Sequence, residues 1–183
     1  MNIPPGKYEF GPDQALLQVH TFREGMARKV GHDLIMQAGT WHAIVEVDED
    51  VTKSTVTASV DVPSITAVQG TGGVKPLSDG DRADIKKNMV KSLNASKHPE
   101  ITFRSTSVEN GGGDSLTVHG DLTIAGTTRP ATLDVSLTDG AAKVTTTIVQ
   151  SQWGIKPYSG LMGALKVRDA VDFHVEGTVP PPD

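Results

Sequence analysis

The sequence predicts one closed, antiparallel β-barrel of eight strands with a single amphipathic helix and short connecting loops. Three observations lead to this fold: apolar and polar residues alternate in segment after segment, short turn motifs separate these segments, and only one stretch has helical spacing. Short turns make consecutive strands antiparallel neighbours. A sheet of such strands, apolar on one face, buries that face and loses its free edges when it closes into a barrel.

The composition narrows both fold and function. The 183 residues suit a single domain, residues 1–183, with a sizeable core. A net charge of −5 argues against nucleic acid as a partner, because phosphate binding needs clustered Lys and Arg, and argues more weakly against docking on anionic membranes. The lack of cysteine excludes disulfides and thiolate chemistry.

The location is predicted from what the sequence lacks. It shows no secretory leader and no run of the roughly 18 apolar residues that a membrane helix needs. We therefore expect no integral membrane segment and a cytoplasmic protein, or an exported one whose leader was removed.

Strands are predicted where side chains alternate, because successive residues of a strand point to opposite faces of the sheet. The alternation is clear in five segments and fainter in three more. The clear segments are residues 41–48, 55–62, 116–124, 131–138 and 171–179, and the fainter ones are 15–21, 101–108 and 143–150. Turn motifs lie between several of them, at residues 48–50, 110–114, 126–128 and 139–140.

One amphipathic helix is predicted over about residues 79–94. Ser78 or Asp79 caps its N-terminus, where acidic residues favour the helix dipole. Three apolar residues at a spacing of four share one face: Ile85, Met89 and Leu93. We expect this helix to cover an end or flank of the barrel, and the glycine-rich segment 65–77 before it to be a mobile loop.

The predicted inward face is rich in small residues, namely Ala43, Ala58, Gly120, Ala131 and Gly177. A barrel of about eight strands is either filled by large side chains or holds one ligand. Almost no charged residue falls on this face, so a guest would be hydrocarbon for most of its length. A barrel packed shut by neighbouring side chains is the alternative.

Two motifs resemble a known family. Residues 120–130, Gly-Asp-Leu-Thr-Ile-Ala-Gly-Thr-Thr-Arg-Pro, resemble the central hairpin of the YceI-like proteins, which are lipocalin-like and bind polyisoprenoids. Residues 98–105, His-Pro-Glu-Ile-Thr-Phe-Arg-Ser, are similar to the segment that follows the helix in that family. The segment 20–34, which ends in Gly-His-Asp-Leu, is longer than its counterpart in many members.

The resemblance implies a lipocalin-like barrel with a tunnel for a long-chain isoprenoid or prenylated quinone-like lipid. It implies no demonstrated catalysis and no cofactor beyond that lipid. Crystal dimers are common in the family, so a homodimer is possible for this chain.

The alternating segments supply the candidate ligand-binding residues, and the alternative role of each is that of an ordinary core residue. These candidates are Trp41, Ala43, Val45, Ala58, Val60, Phe103, Val118, Leu122, Leu133, Val135, Phe173 and Val175. A glycine-rich connection adds four more that either form a mouth or plug the barrel end: Trp153, Tyr158, Leu161 and Met162. His32 is a headgroup candidate, with a structural turn as the alternative role.

Metal binding and catalysis receive little support. Asp172, His174 and Glu176 alternate on one strand face, but side chains two residues apart lie roughly 6.5–7 Å from each other, so a solvated outer face explains them better. Ser159 lacks the surroundings of a nucleophilic serine. We predict neither a metal site nor catalytic residues.

The predicted function is non-catalytic binding, storage or transport of a long-chain isoprenoid lipid in the barrel. Two alternatives remain open. One is a lipocalin-like enzyme that acts on an isoprenoid, with His32 or Tyr158 as acid or base. The other is a packed barrel that acts as a stress-related interaction protein.

Overall fold

The computed structural model describes residues 3–182, most of which lie in β-strands. The strands are β1 Gly6–Phe10, β2 Ala15–Thr21, β3 Arg23–Glu24, β4 His32–Ala38, β5 Trp41–Val47, β6 Thr55–Asp61, β7 Ile65–Gly72, β8 Glu100–Gly112, β9 Ser115–Ile124, β10 Thr127–Thr138, β11 Ala141–Val149, β12 Ser159–Gly160, β13 Leu165–Val167 and β14 Ala170–Thr178. One α-helix, α1, spans Asp79–Ser92 between β7 and β8.

Eleven strands form one curled antiparallel sheet, in the order β1-β5-β6-β8-β9-β10-β11-β14-β2-β4-β7. The predicted count of eight strands is therefore wrong. Each of the eight predicted segments is a strand of this sheet, but the alternation does not predict β1, β4 and β7. The order ends at β1 and β7, which do not pair within residues 3–182, so the sheet is barrel-like and the predicted closure is also wrong.

Two of the unpredicted strands continue predicted ones across a bend. β4 leads into β5 through Gly39 and Thr40, while β6 leads into β7 through a 3-10 turn. Gly39 N donates to the Ser64 carbonyl at 3.2 Å, and Asp61 N donates to the Thr40 carbonyl at 3.0 Å. Backbone pairing therefore continues through the bend. The two-stranded ribbon formed by β4–β5 and β6–β7 changes direction while its backbone N–H and C=O groups stay hydrogen-bonded.

The segment 65–77 contains a strand where its glycines suggest a mobile loop, so that prediction is wrong. β7 covers Ile65–Gly72 and pairs with β4. A Cβ atom at Gly70 would lie 2.4 Å from Leu77 Cδ1, and one at Gly73 would lie 2.4 Å from His32 Nε2. The glycines make room for close neighbours, and this close approach explains their presence.

Helix α1 lies beside β7 and covers one flank of the sheet. Ser78 caps it in a capping box: Asp81 N donates to Ser78 Oγ at 3.2 Å, and Ser78 N donates to Asp81 Oδ2 at 2.9 Å. Arg82 donates a hydrogen bond to the carbonyl of Ala67 in β7. The side chains of the predicted apolar face, Ile85, Met89 and Leu93, are partly buried and pack against the core. Neither α1 nor any other helix within residues 3–182 is long and apolar enough to cross a membrane.

A second, three-stranded sheet has the order β12-β13-β3. Lys166 of β13 pairs with Ser159 of β12 on one side and with Glu24 of β3 on the other. Beside it, Ala27 N donates to the Ala164 carbonyl at 2.8 Å, which joins the loop after β3 to the loop before β13. Segments distant in the sequence therefore form one surface.

Gly120 faces inward on β9 but leaves no empty volume, contrary to the sequence interpretation. Its missing side chain makes room for the neighbouring strand β8: a Cβ atom would lie 2.4 Å from Phe103 Cζ and 2.5 Å from the Arg104 carbonyl oxygen. The backbone oxygen cannot rotate away as a side chain can. Gly177 has a similar role, because a Cβ atom there would lie 2.3 Å from the Gln14 carbonyl oxygen.

We expect Gly120→Ala to lower the free energy of unfolding by about 1–3 kcal/mol, the usual cost of overpacking a filled site. Urea denaturation measures the change. Ser115→Ala, at an exposed position of the same strand, is the control, and we expect it to change the value by less than about 0.5 kcal/mol. Equal stabilities for the two variants would contradict the tight packing of β8 on β9.

Candidate functional site

The inward face of the main sheet encloses a cavity of about 570 Å³. Small-molecule sites in proteins usually measure roughly 300–1,000 Å³. All twelve side chains that the alternating segments offer as candidates line it: Trp41, Ala43, Val45, Ala58, Val60, Phe103, Val118, Leu122, Leu133, Val135, Phe173 and Val175. Their contact with a ligand stays a prediction.

Two alanines open this cavity. Ala43 of β5 pairs with Ala58 of β6, and the row continues to Phe10 of β1 on one side and to Phe103 of β8 on the other. An aromatic residue flanks each alanine, so the two methyl groups leave volume between larger side chains. Protein interiors are normally close-packed, and an unfilled space of this size gives up dispersion contacts along its whole lining.

Most polar residues of this lining lie at one end of the cavity, while Thr146 of β11 lines it beside Phe173. Asp48, Glu49 and Ser54 come from the connection between β5 and β6, and Asn110 comes from the end of β8. Within residues 3–182, no polar or charged residue is buried. A guest in the middle of the cavity meets mostly hydrocarbon, and its own polar groups would lose hydrogen bonds there.

A second cavity of about 430 Å³ adjoins the first. It lies between the inward face of the main sheet, helix α1 and the small sheet. Four side chains line both cavities and form their common boundary: Ile101, Ile124, Ile148 and Phe173. The sequence analysis misses most of the second cavity, because Leu34, Met36 and Leu165 lie on strands that the alternation does not predict. The helical spacing alone indicates Ile85 and Met89.

Polar groups surround part of this second cavity. His32 lies here as the first residue of β4, in a strand rather than in a turn, and its role as a headgroup ligand stays a prediction. Its Nε2 lies 2.8 Å from the Lys75 carbonyl oxygen, which accepts a hydrogen bond from the Nε2–H tautomer and leaves Nδ1 as an acceptor. Arg23 Nη1 donates to the Gly31 carbonyl at 2.6 Å, and Arg23 N donates to Asp33 Oδ1 at 2.8 Å. These bonds hold His32 and Arg23 at the rim.

The four candidates from the glycine-rich connection have different positions. Trp153 is 4% exposed and lines neither cavity. Its Nε1 donates to the Leu122 carbonyl at 2.9 Å, so the ring is a hydrogen-bonded part of the core. Tyr158 lines the second cavity. Leu161 and Met162 also line neither cavity; the Leu161 side chain is 60% exposed and that of Met162 is fully exposed.

The outer face carries the residues considered for a metal. Among residues 3–182, no group of three or more His, Cys, Asp or Glu side chains is arranged to hold an ion. Asp172 accepts a hydrogen bond from Thr147 at 2.8 Å. The ring of His174 packs on that of His20, with centroids 4.4 Å apart. These contacts belong to neighbouring strands and stabilise the outer face of the sheet.

Burial and the nearby His174 lower the pKa of His20, while Asp172 opposes this shift. The Nε2 atom of His20 is buried and has no hydrogen-bond partner among residues 3–182, so protonation would place a charge in an unfavourable site. Because the folded pKa lies below the unfolded one, the unfolded chain takes up the proton first as the pH falls. The stabilising contribution is present above the unfolded pKa and is lost as the pH falls through the folded pKa.

We therefore expect the free energy of unfolding to fall between about pH 7 and pH 5, a range that includes the ordinary pKa of histidine near 6.5, and to fall less in His20→Gln. Urea denaturation at the two pH values measures this difference. His42→Gln is the control, because this histidine is exposed, with its Nε2 3.9 Å from Glu9 Oε2, and its replacement removes no buried Nε2 atom. A His20→Gln variant as sensitive to acid as wild type would show that another group is responsible.

The model of the YceI-like domain matches residues 15–179. Proteins named YceI from Shigella flexneri and Salmonella arizonae are 51% and 41% identical to this chain over 61 residues. Each alignment covers 32% of this chain and 31% of the relative, so the chain matches about a third of the length of these curated relatives.

Two solved structures share the architecture. BcnA of Burkholderia cenocepacia superposes with a TM-score of 0.63 at 17% identity, over 90% of this chain and 96% of that one. The YCEI protein of Campylobacter jejuni superposes with a TM-score of 0.54 at 14% identity, over 78% of this chain and 83% of that one. At these identities the likeness shows the fold alone.

Proposed function

This chain belongs to the YceI-like family, and on that premise we propose that it binds, stores or transports a long-chain isoprenoid or prenylated quinone-like lipid without catalysing a reaction. The observation that carries the proposal is the apolar cavity of about 570 Å³ that inward side chains leave unfilled. Its lining matches a hydrocarbon in polarity. The lipid class and the absence of catalysis are our proposals.

The energetics favour a long apolar guest. Burial of hydrocarbon gains about 0.8 kcal/mol per carbon, so a five-carbon isoprene unit gains up to ~4 kcal/mol before costs. Association and ordering remove much of this gain. A chain of several units therefore binds tightly without a specific hydrogen bond, which suits a lining that is mostly apolar.

The two cavities suggest how such a lipid is oriented. The tail occupies the first cavity and crosses the boundary at Phe173, while the headgroup lies in the second cavity. There His32 Nδ1 and the Tyr158 hydroxyl offer an acceptor and a donor, and Arg23, whose Nε lies 3.8 Å from Asp33 Oδ1, adds guanidinium donors. The lipid then enters tail first, and its polar end stays near the rim.

The first test is the mass of the purified protein. We expect native mass spectrometry after gentle purification to show a species heavier than the chain, and an organic extract to contain a prenyl lipid of the same mass. A bare chain mass together with a lipid-free extract would contradict the proposal. Turnover of an added prenyl quinone would refute the non-catalytic part alone.

The second test fills the cavity. Ala58→Trp places an indole between the side chains of Ala43 and Phe103, so we expect at least a tenfold loss of bound lipid, measured by extraction and mass spectrometry. Thr57→Trp puts the same side chain on the exposed outer face of the same strand and is the matched control. Undiminished lipid in Ala58→Trp, with its folding verified by circular dichroism, would show that the ligand lies elsewhere.

A further inference from the structure

Exposed apolar side chains gather at one end of the molecule. Eight large hydrophobic residues within 3–182 are exposed, and six of them lie in three loops there: Met26, Val30, Val74, Tyr158, Leu161 and Met162. The side chains of Met26 and Met162 are almost entirely exposed to solvent. An apolar cluster of this kind on a protein surface commonly marks an interaction site. We call residues 25–31, 73–77 and 156–166 together the loop end.

Direct contacts join the three loops into one surface. Ala27 N donates to the Ala164 carbonyl at 2.8 Å, which joins the first loop to the third. A Cβ atom at Gly31 would lie 2.6 Å from Leu165 Cδ1, so these loops also pack tightly. His32, which follows the first loop, bonds to the Lys75 carbonyl in the second.

The backbone at Leu161 and Met162 has the left-handed conformation, with φ of 48° and 53°. Residues with a side chain rarely adopt this conformation, and apolar ones have no local hydrogen bond to favour it. Here Leu161 and Met162 adopt this conformation while their apolar side chains are exposed to solvent. An interaction of these side chains with a partner would account for keeping a costly conformation at the surface.

The charge of the loop end is opposite to that of the whole chain. Its three loops contain no Asp or Glu and five basic residues, Arg28, Lys29, Lys75, Lys156 and Lys166, whereas the chain has a net charge of −5. Acidic neighbours offset part of this charge. Asp81 Oδ2 lies 3.8 Å from Lys75 Nζ, and Glu24 is the register partner of Lys166 between β3 and β13. Asp79 and Asp84 lie in the first two turns of helix α1. Neither of these two pairs involves Arg28, Lys29 or Lys156.

We propose that the loop end docks on the surface of a bilayer that contains anionic lipids. Met26, Leu161 and Met162 enter the interfacial region, and Arg28, Lys29 and Lys156 contact the lipid phosphates. Val30, Val74 and Tyr158 belong to the loop end and also line the second cavity, so docking brings the rim of that cavity to the membrane. This inference names the partner surface for the proposed function, but it stands on exposure and charge rather than on the cavity.

Vesicle cosedimentation of the full chain tests the proposal. We expect binding to phosphatidylcholine vesicles only when phosphatidylglycerol is added, and weaker binding as salt screens the charges. Arg28→Gln with Lys29→Gln lowers the affinity by roughly fivefold per residue. Leu161→Ser with Met162→Ser lowers it by roughly tenfold or more, because two apolar side chains no longer leave water. Leu16→Ser, at an exposed leucine on β2, is the matched control and leaves binding unchanged.

Two outcomes would overturn the inference. One is equal or absent sedimentation with both kinds of vesicle. The other is self-association that is lost in Leu161→Ser with Met162→Ser, which would assign the surface to a second copy of the chain. Failure of docking leaves the lipid function intact if the purified protein still carries a prenyl lipid. A chain that binds vesicles but carries no lipid would refute the lipid function and keep the docking surface.

Discussion

The bend between β4–β7 and β5–β6 determines the shape of the molecule. Without the hydrogen bonds from Gly39 to Ser64 and from Asp61 to Thr40, the ribbon would lose its pairing where it changes direction. With them, one half of the ribbon joins β2 and the other half joins β8. The sheet therefore curls round a shared interior although its terminal strands β1 and β7 do not pair within the described chain.

The interior follows from which side chains the curled sheet turns inward. Ala43 and Ala58 meet where two larger residues would fill the space, and Phe10 and Phe103 hold the neighbouring strands at the sides. Polar groups remain at the cavity ends, near Asn110 on one side and His32 on the other. The arrangement matches a guest with a long apolar body, which is why we propose a lipid.

The sequence predicts well what depends on local periodicity. The alternation in eight segments marks strands of the main sheet, and the inward phase of those segments identifies twelve lining residues of the first cavity. Ser78 marks the start of helix α1 in the same way, because capping is a local interaction.

The rest depends on contacts between distant segments. Gly70 and Gly73 suggest a flexible loop, yet Leu77 and His32 pack against them. Gly120 suggests empty volume, yet Phe103 fills it. A glycine required for close approach and a glycine in a flexible loop are identical in the sequence. The structure distinguishes them, and it also assembles the second cavity, whose walls come from β4, α1 and the small sheet.

Ile101, Ile124, Ile148 and Phe173 belong to both cavities at once. The rotamers of these four side chains consequently set the free volume on either side of them. A single lipid that spans both cavities, as we propose, would pass these four side chains, so its tail in the first cavity would restrict rotamers that also shape the second.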